Sequence, residues 1–174
     1  MRNIALIGFR ATGKSAVGAI LADELGRMFI DMDKHLTASA GREIACWVRL
    51  EGWDSFRKAE TELLDALASK KDLVVATGGG VVLAPENRMV LKRDFFTIWL
   101  RASADTIYRR MTSDPQTSST RPAFSELPLE QEIRQLLRER ESLYAACADL
   151  EIATDCKPIS EIAVLIATRL ESGV

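Results

Sequence analysis

The sequence has few of the residues that cross-link small proteins through disulfide bonds or metal ions. Its 174 residues include 3 cysteines and 1 histidine. Cys46, Cys147 and Cys156 are odd in number and have no C-x-x-C spacing. This pattern argues against a disulfide framework and a zinc site and is typical of thiols in a reducing cytoplasm. We therefore expect the chain to fold by burying an ordinary apolar core.

Long apolar runs and an excess of one charge are also missing. No stretch approaches the roughly 20 apolar residues of a transmembrane helix, and the apolar run that ends at Gly8 is too short for a signal peptide. The 23 basic and 25 acidic residues give a formal net charge of −2, so no overall field attracts nucleic acid or an anionic membrane. We expect a cytoplasmic protein, monomeric by default, that binds neither nucleic acid nor membrane.

Five short apolar runs alternate with segments of helical periodicity. The chain length fits one domain over residues 1–174. The pattern predicts an α/β fold with a parallel sheet covered on both faces, and such sheets bind ligands at the carboxyl ends of their strands. Strands are predicted at residues 4–7, 28–31, 73–76, 95–100 and 150–153. Helices are predicted after the first strand, over 33–69 with breaks near Gly41 and Gly52, through Ile107 and Met111, and over 129–146 and 159–170.

A complete phosphate-binding motif follows the first strand. Residues Gly8–Ser15 read Gly-Phe-Arg-Ala-Thr-Gly-Lys-Ser and match G-x-x-x-x-G-K-[ST]. Such a loop turns its backbone N–H groups toward phosphate oxygens, and the next helix adds the positive end of its dipole. Lys14 is expected to reach the β- and γ-phosphates and Ser15 to bind Mg²⁺. The motif predicts MgATP binding by Gly8, Ala11, Thr12, Gly13, Lys14, Ser15 and Ala16.

Three weaker motifs follow the second and third strands. Asp31 and Asp33 offer carboxylates for the water shell of magnesium and for a substrate hydroxyl, although a solvated turn explains the D-x-D spacing equally well. The run Gly78–Gly80 permits close approach to the backbone and exceeds what a tight turn requires. Arg57 and Glu60 lie three residues apart on a helix, either as a carboxylate clamp or as a surface ion pair.

A polar segment at residues 113–126 is rich in Ser, Thr and Pro and has no apolar period. It predicts a mobile lid loop. Arg121 in this loop is placed to reach the transferring phosphate when the lid closes. Arg138, on the helix that follows, fits an ordinary solvated face and receives no role.

Together these motifs resemble the shikimate kinase family over nearly the whole chain. Each later motif is loose alone, but the series is highly specific. After the phosphate loop it runs through Asp31-x-Asp33, Gly41-Arg42-x-Ile44, Glu51-Gly52-Trp53-x-x-Phe56-Arg57-x-x-Glu60, Ala76-Thr77-Gly78-Gly79-Gly80, Arg121-Pro122 and Arg140-x-x-Leu143-Tyr144.

The resemblance implies a three-layer P-loop kinase fold with sheet order 2-3-1-4-5. It also implies a helical substrate-binding region at 33–70 and a lid at about 113–126. The implied reaction is ATP-dependent phosphorylation of the 3-hydroxyl of shikimate, a step toward chorismate and the aromatic amino acids. Its implied cofactor is Mg²⁺, and its substrates are ATP and shikimate.

Residue roles carried over from the family fall into an acceptor side and a nucleotide side. On the acceptor side, Asp33 is implied to hydrogen-bond the ring hydroxyls and to act as base. The other implied substrate-binding residues are Arg57 and Arg140, for the carboxylate, and Gly78, Gly79 and Gly80, beside the ring.

On the nucleotide side, Lys14 and Arg121 are the implied catalytic cations, and Asp31 supports magnesium through water. Arg110 is implied to stack on adenine, with the adjacent Arg109 as an alternative.

Two other functions remain open at this point. A related small-metabolite kinase, such as a gluconate kinase, would share the phosphate loop and an acidic polyol substrate. A non-catalytic nucleotide-dependent switch would need no arginines and carboxylates around an acceptor. His35 has no place in the family pattern and is interpreted as a partly exposed helix residue.

Overall fold

The apolar runs form one parallel β-sheet in the computed structural model, which describes residues 2–113 and 127–172. The strands are β1 (Asn3–Ile7), β2 (Met28–Asp31), β3 (Leu73–Ala76), β4 (Phe95–Arg101) and β5 (Leu150–Ala153). They pair in the order β2-β3-β1-β4-β5, and every pairing is parallel. The predicted sheet and its strand order are confirmed.

Seven α-helices connect and cover the strands within the described residues. They are α1 (Lys14–Glu24), α2 (Met32–Ala40), α3 (Ile44–Ala68), α4 (Pro85–Asp94), α5 (Ala104–Ser113), α6 (Leu129–Cys147) and α7 (Ile159–Glu171). The predicted breaks are confirmed. Gly41 follows α2 with a φ of 64°, and Gly52 interrupts α3 with a φ of 82°, a region that side-chain-bearing residues rarely adopt.

The segment between β3 and β4 contains structure that the sequence did not predict. A 3₁₀ turn spans Val81–Leu83 and leads into α4. Only Asn87 and Leu91 of α4 are buried, so the helix has almost no apolar period to detect. Its ends do carry usable signals, because Pro85 occupies the first turn and Lys92 and Arg93 occupy the last.

Two apolar layers flank the sheet because alternate residues of β1 point to opposite faces. Ala5 and Ile7 pack with α3, α4 and α6, whereas Ile4 and Leu6 pack with α1 and α7. The architecture is therefore the expected three-layer α/β arrangement. None of the helices within residues 2–113 and 127–172 is both long and apolar enough to cross a membrane.

The carboxyl edge of the sheet gathers the predicted motifs. The phosphate loop follows β1, Asp31 ends β2, and Gly78–Gly80 follow β3. Because these strands are parallel neighbours, their carboxyl ends meet at one edge, and α6 adds side chains there from the distant end of the chain. The predicted lid lies outside the described residues except for Ser113, and so does Arg121.

Candidate active site

The phosphate loop is held in shape by its own polar side chains. The Nζ atom of Lys14 donates hydrogen bonds to the carbonyl oxygens of Gly8 and Phe9 at 2.9 and 2.7 Å. Thr12 Oγ1 donates to the Phe9 carbonyl at 2.8 Å. Gly8 has a φ of 138°, and a Cβ there would overlap the Leu100 carbonyl, so glycine is required. The loop ends where α1 begins, which places the positive end of that helix at the site.

Two oxygen-bearing side chains meet beside the loop. Ser15 Oγ donates to Asp31 Oδ2 at 2.5 Å, and Asp31 Oδ1 caps α2 by accepting from the Lys34 backbone N–H at 3.1 Å. Magnesium in kinases is bound by one or two such oxygens together with phosphates and water. The oxygen atoms of this pair are of the kind that Mg²⁺ prefers, and the roles of Ser15 and Asp31 toward the metal stay a prediction.

A cleft lies next to the phosphate loop and holds about 400 Å³ of space, the open solvent at its mouth included. It brings together side chains from the loop, the α2–α3 region, the glycine run and α6. We call this cleft the acceptor pocket. Its lining residues are Phe9, Arg10, Asp33, Ile44, Trp53, Phe56, Arg57, Glu60, Gly78, Gly79, Gly80 and Arg140. All the residues predicted to bind the substrate are among them.

Arg57 and Glu60 form the ion pair that their spacing suggested, and the pair faces the pocket. Arg57 Nη1 lies 2.5 Å from Glu60 Oε2, and the Glu60 side chain is 0% exposed. The Arg57 guanidinium also lies 5.2 Å from the ring centroid of Trp53. Burial raises the pKa of Glu60, while the charge of Arg57 opposes that shift. The alternative of a solvated surface pair is wrong.

The glycine run makes room for this ion pair. A Cβ at Gly78 would overlap the Glu60 carboxylate, and a Cβ at Gly80 would overlap the Arg57 guanidinium. These contacts give the physical reason why more than one glycine follows β3. A side chain at Gly78 would displace the glutamate, and one at Gly80 would displace the arginine.

Helix α6 fixes the middle of the glycine run. Arg140 Nη1 donates to the Gly79 carbonyl at 3.2 Å, and the Tyr144 hydroxyl donates to the same oxygen. The Tyr144 ring stacks on Trp99 of β4 at a centroid distance of 5.8 Å. Burial raises the pKa of Tyr144 to about 12, so the phenol keeps its proton and remains a donor. Arg140 thus reaches the pocket from a helix anchored on both loop and sheet.

Arg110 lies beside the phosphate loop and is not among the residues that line the acceptor pocket. Its guanidinium donates to the Ala11 carbonyl at 3.1 Å and to the Thr154 carbonyl at 2.6 Å. Arg109 is exposed. Arg110 is therefore the better-placed of the two arginines, and its contact with adenine stays a prediction. His35 is exposed on α2, as expected.

Sequence reasoning missed an ion pair between the phosphate loop and α6. Arg10 pairs with Glu132, and their side chains are 7% and 3% exposed. Burial lowers the pKa of Arg10, while Glu132 opposes the shift. The phosphate-loop motif leaves the third position unspecified, and Glu132 lies 122 residues further along the chain. No local pattern links two residues so far apart.

A phosphate loop on a doubly covered parallel sheet, opening onto a pocket lined by arginines and carboxylates, defines the class of P-loop small-molecule kinases. The particular family follows from comparison with known proteins. A family model described as shikimate kinase matches residues 10–171. The chain belongs to the shikimate kinase family.

Individual relatives agree with this assignment. A shikimate kinase of Symbiobacterium thermophilum is 38% identical over 169 residues, which cover 97% of this chain and 96% of that protein. The structure of a shikimate kinase from Acinetobacter baumannii in complex with shikimate has a TM-score of 0.93 at 33% identity, covering 99% of this chain and 94% of the other. A gluconokinase from Sinorhizobium meliloti, at a TM-score of 0.58 and 18% identity over 99% of this chain and 94% of the other, shares the fold alone.

Proposed function

We propose that this chain transfers the γ-phosphate of ATP to the 3-hydroxyl of shikimate, giving shikimate 3-phosphate. One observation carries the proposal beyond the fold: Phe9 and Arg10 belong both to the phosphate loop and to the wall of the acceptor pocket. A nucleotide on the loop and an acceptor in the pocket would therefore be neighbours. Phosphoryl transfer depends mainly on such positioning and on charge stabilisation.

The nucleotide side of the proposed site supplies positive charge. Lys14 is proposed to release its contacts with the loop carbonyls and to bind the β- and γ-phosphates. Ser15 would hold Mg²⁺ directly and Asp31 through water, and Mg²⁺ when bound neutralises charge on the phosphate oxygens. Arg121, which lies outside the described residues, is proposed to contact the γ-phosphate because of its place in the sequence motif.

The acceptor side supplies orientation. Shikimate is a carboxylated polyol, so its recognition needs both guanidinium groups and hydroxyl acceptors. Arg57 and Arg140 are proposed to bind the carboxylate, and Asp33 to accept the hydrogen bond of the attacking hydroxyl and its proton. Gly79 and Gly80 would let the ring lie close to the backbone.

We also propose that residues 1–174 act as one kinase domain and as a monomer. The single domain is supported by a sheet that draws its strands from the start, middle and end of the chain, and the monomer is the default for a short chain with a formal net charge of only −2. Size-exclusion chromatography coupled to light scattering measures the oligomeric state. The mass of a dimer at assay concentrations would contradict the proposal of a monomer.

Acceptor-dependent release of ADP tests the proposed reaction. Purified protein with ATP and Mg²⁺ is assayed alone, with shikimate and with gluconate, and the product is identified by its mass and its ³¹P spectrum. We expect rapid ADP release in the assay that contains shikimate, and not in the assays with gluconate or without an acceptor. Rapid turnover of gluconate would favour the related kinase, and ATP binding without acceptor-dependent ADP release would favour a switch.

A further inference from the structure

Arg10 lines the acceptor pocket from a position that the phosphate-loop motif leaves unspecified. Its buried partner Glu132 lies in the first turn of α6. A buried ion pair is weak evidence for stability, because desolvation of the two charges offsets most of their attraction. A contribution to folding therefore does not explain why a guanidinium lines the pocket. Binding of a ligand in the pocket is the explanation to consider next.

Arg10 and Arg140 approach the same aromatic ring. The guanidinium carbon of Arg10 lies 5.6 Å from the ring centroid of Phe9, and that of Arg140 lies 5.7 Å from it. The nearby charge of Arg140 adds to the lowering of the Arg10 pKa by burial. An anion that touched both guanidinium groups would relieve their repulsion, and a planar carboxylate matches the donor geometry of arginine.

We infer that Arg10 is a third acid-binding guanidinium of the acceptor pocket, which contacts the carboxylate of the acceptor beside Arg140 while Glu132 holds its side chain on the pocket wall. The inference rests on the proposed function, since it takes a carboxylated acceptor as the ligand. It assigns a specificity-determining contact and adds no covalent step.

The main alternative is that Arg10 contacts the transferring phosphoryl group instead. Glu132 disfavours that alternative, because its repulsion grows with the charge of the ligand and a phosphoryl group carries more negative charge than a carboxylate. The two contacts predict different measurements. A carboxylate contact changes the preference for charged over uncharged acceptors, whereas a phosphoryl contact changes kcat.

The test compares shikimate with its uncharged carboxamide by calorimetric titration. The test variant combines Arg10→Met with Glu132→Gln, so that the buried negative charge of Glu132 is removed together with the positive charge of Arg10. We expect the preference of the protein for the acid over the amide to fall about tenfold, as for loss of one charge-assisted hydrogen bond. The KM for ATP is expected to stay within about twofold. The matched control is Arg138→Met, which changes an exposed arginine on α6, the helix that carries Glu132. This control should keep the full preference for the acid over the amide.

Other outcomes overturn the inference. Equal weakening of acid and amide would mean a structural role, and a lower kcat with an unchanged preference would mean a phosphoryl contact. If the double variant does not fold, Arg10→Lys retains the charge without the bidentate geometry, and an unchanged preference in that variant also contradicts the inference. Failure of the wild-type protein to bind shikimate would instead refute the proposed function.

Discussion

The nucleotide side and the acceptor side of the site are built in different ways. The phosphate loop is eight consecutive residues, Gly8–Ser15, and most of the contacts that hold its shape lie within the loop, with Arg110 and Glu132 adding two from outside. The acceptor pocket collects side chains from the loop, α2, α3, the glycine run and α6. The proposed phosphate recognition is therefore local, whereas the proposed acceptor recognition depends on elements that lie far apart in the chain.

This difference predicts how the two sides fail. A change on the nucleotide side should remove turnover and leave acceptor binding nearly intact. A change on the acceptor side should raise the KM for shikimate and leave the KM for ATP nearly intact. Asp33 lies between these cases, because it is proposed to touch the reacting hydroxyl.

The largest effect is expected for Lys14→Ala. Loss of the cation on the transferring phosphate should lower kcat on the order of 10³-fold. Shikimate binding, measured by calorimetry, should change less than about threefold. Lys58→Ala, a lysine with a side chain 80% exposed on α3, is the control. Near-normal turnover by Lys14→Ala would refute the role of the loop.

Asp33→Asn should lower kcat on the order of 10²-fold, because an amide cannot accept the proton of the attacking hydroxyl. The KM for ATP should not change. Asp54→Asn changes an exposed aspartate on α3 and should be silent in the same steady-state assay. Equal rates for the two variants would remove Asp33 from the mechanism.

Arg57→Ala should raise the KM for shikimate by roughly 10- to 100-fold, as expected for loss of a charge-assisted contact. It should also destabilise the protein, since Glu60 would remain buried without its partner. Thermal unfolding measures that second effect. The exposed Arg49 gives a matched alanine variant. An unchanged KM would require another residue to bind the carboxylate.

Gly80→Ala tests the proposed contact between Arg57 and the shikimate carboxylate without removing the arginine. The added Cβ overlaps the Arg57 guanidinium, so we expect the KM for shikimate to rise about tenfold. Gly26→Ala is the control, because Gly26 also has a positive φ, of 61°, but nothing lies within 4 Å of its Cβ position. That control should lose stability and keep its KM. Similar KM values in both variants would contradict the steric account.

The smallest effect is expected for Tyr144→Phe. The Gly79 carbonyl keeps its hydrogen bond from Arg140, so the variant should lose about 1 kcal/mol of unfolding free energy, measured in urea. The KM for shikimate should rise less than about threefold. A larger rise would mean that the phenol itself binds the acceptor.

The same local-versus-distributed difference explains what the sequence could predict. The phosphate loop, the strands and the Arg57–Glu60 pair depend on residues that are neighbours in the sequence. Local sequence patterns were therefore sufficient to predict them. The Arg10–Glu132 pair and the contacts of α6 on Gly79 depend on packing between distant elements. Helix α4 was not predicted for a different reason: it buries too few apolar residues to show a helical period of hydrophobicity.

A structure of the protein with shikimate and a non-hydrolysable ATP analogue tests the shared cleft most directly. We expect the 3-hydroxyl to lie about 3–3.5 Å from the γ-phosphorus, in line with the leaving oxygen, with Asp33 on the hydroxyl and Arg57 and Arg140 on the carboxylate. Shikimate bound elsewhere, or in the pocket with its 3-hydroxyl turned away from the phosphate loop, would contradict the account.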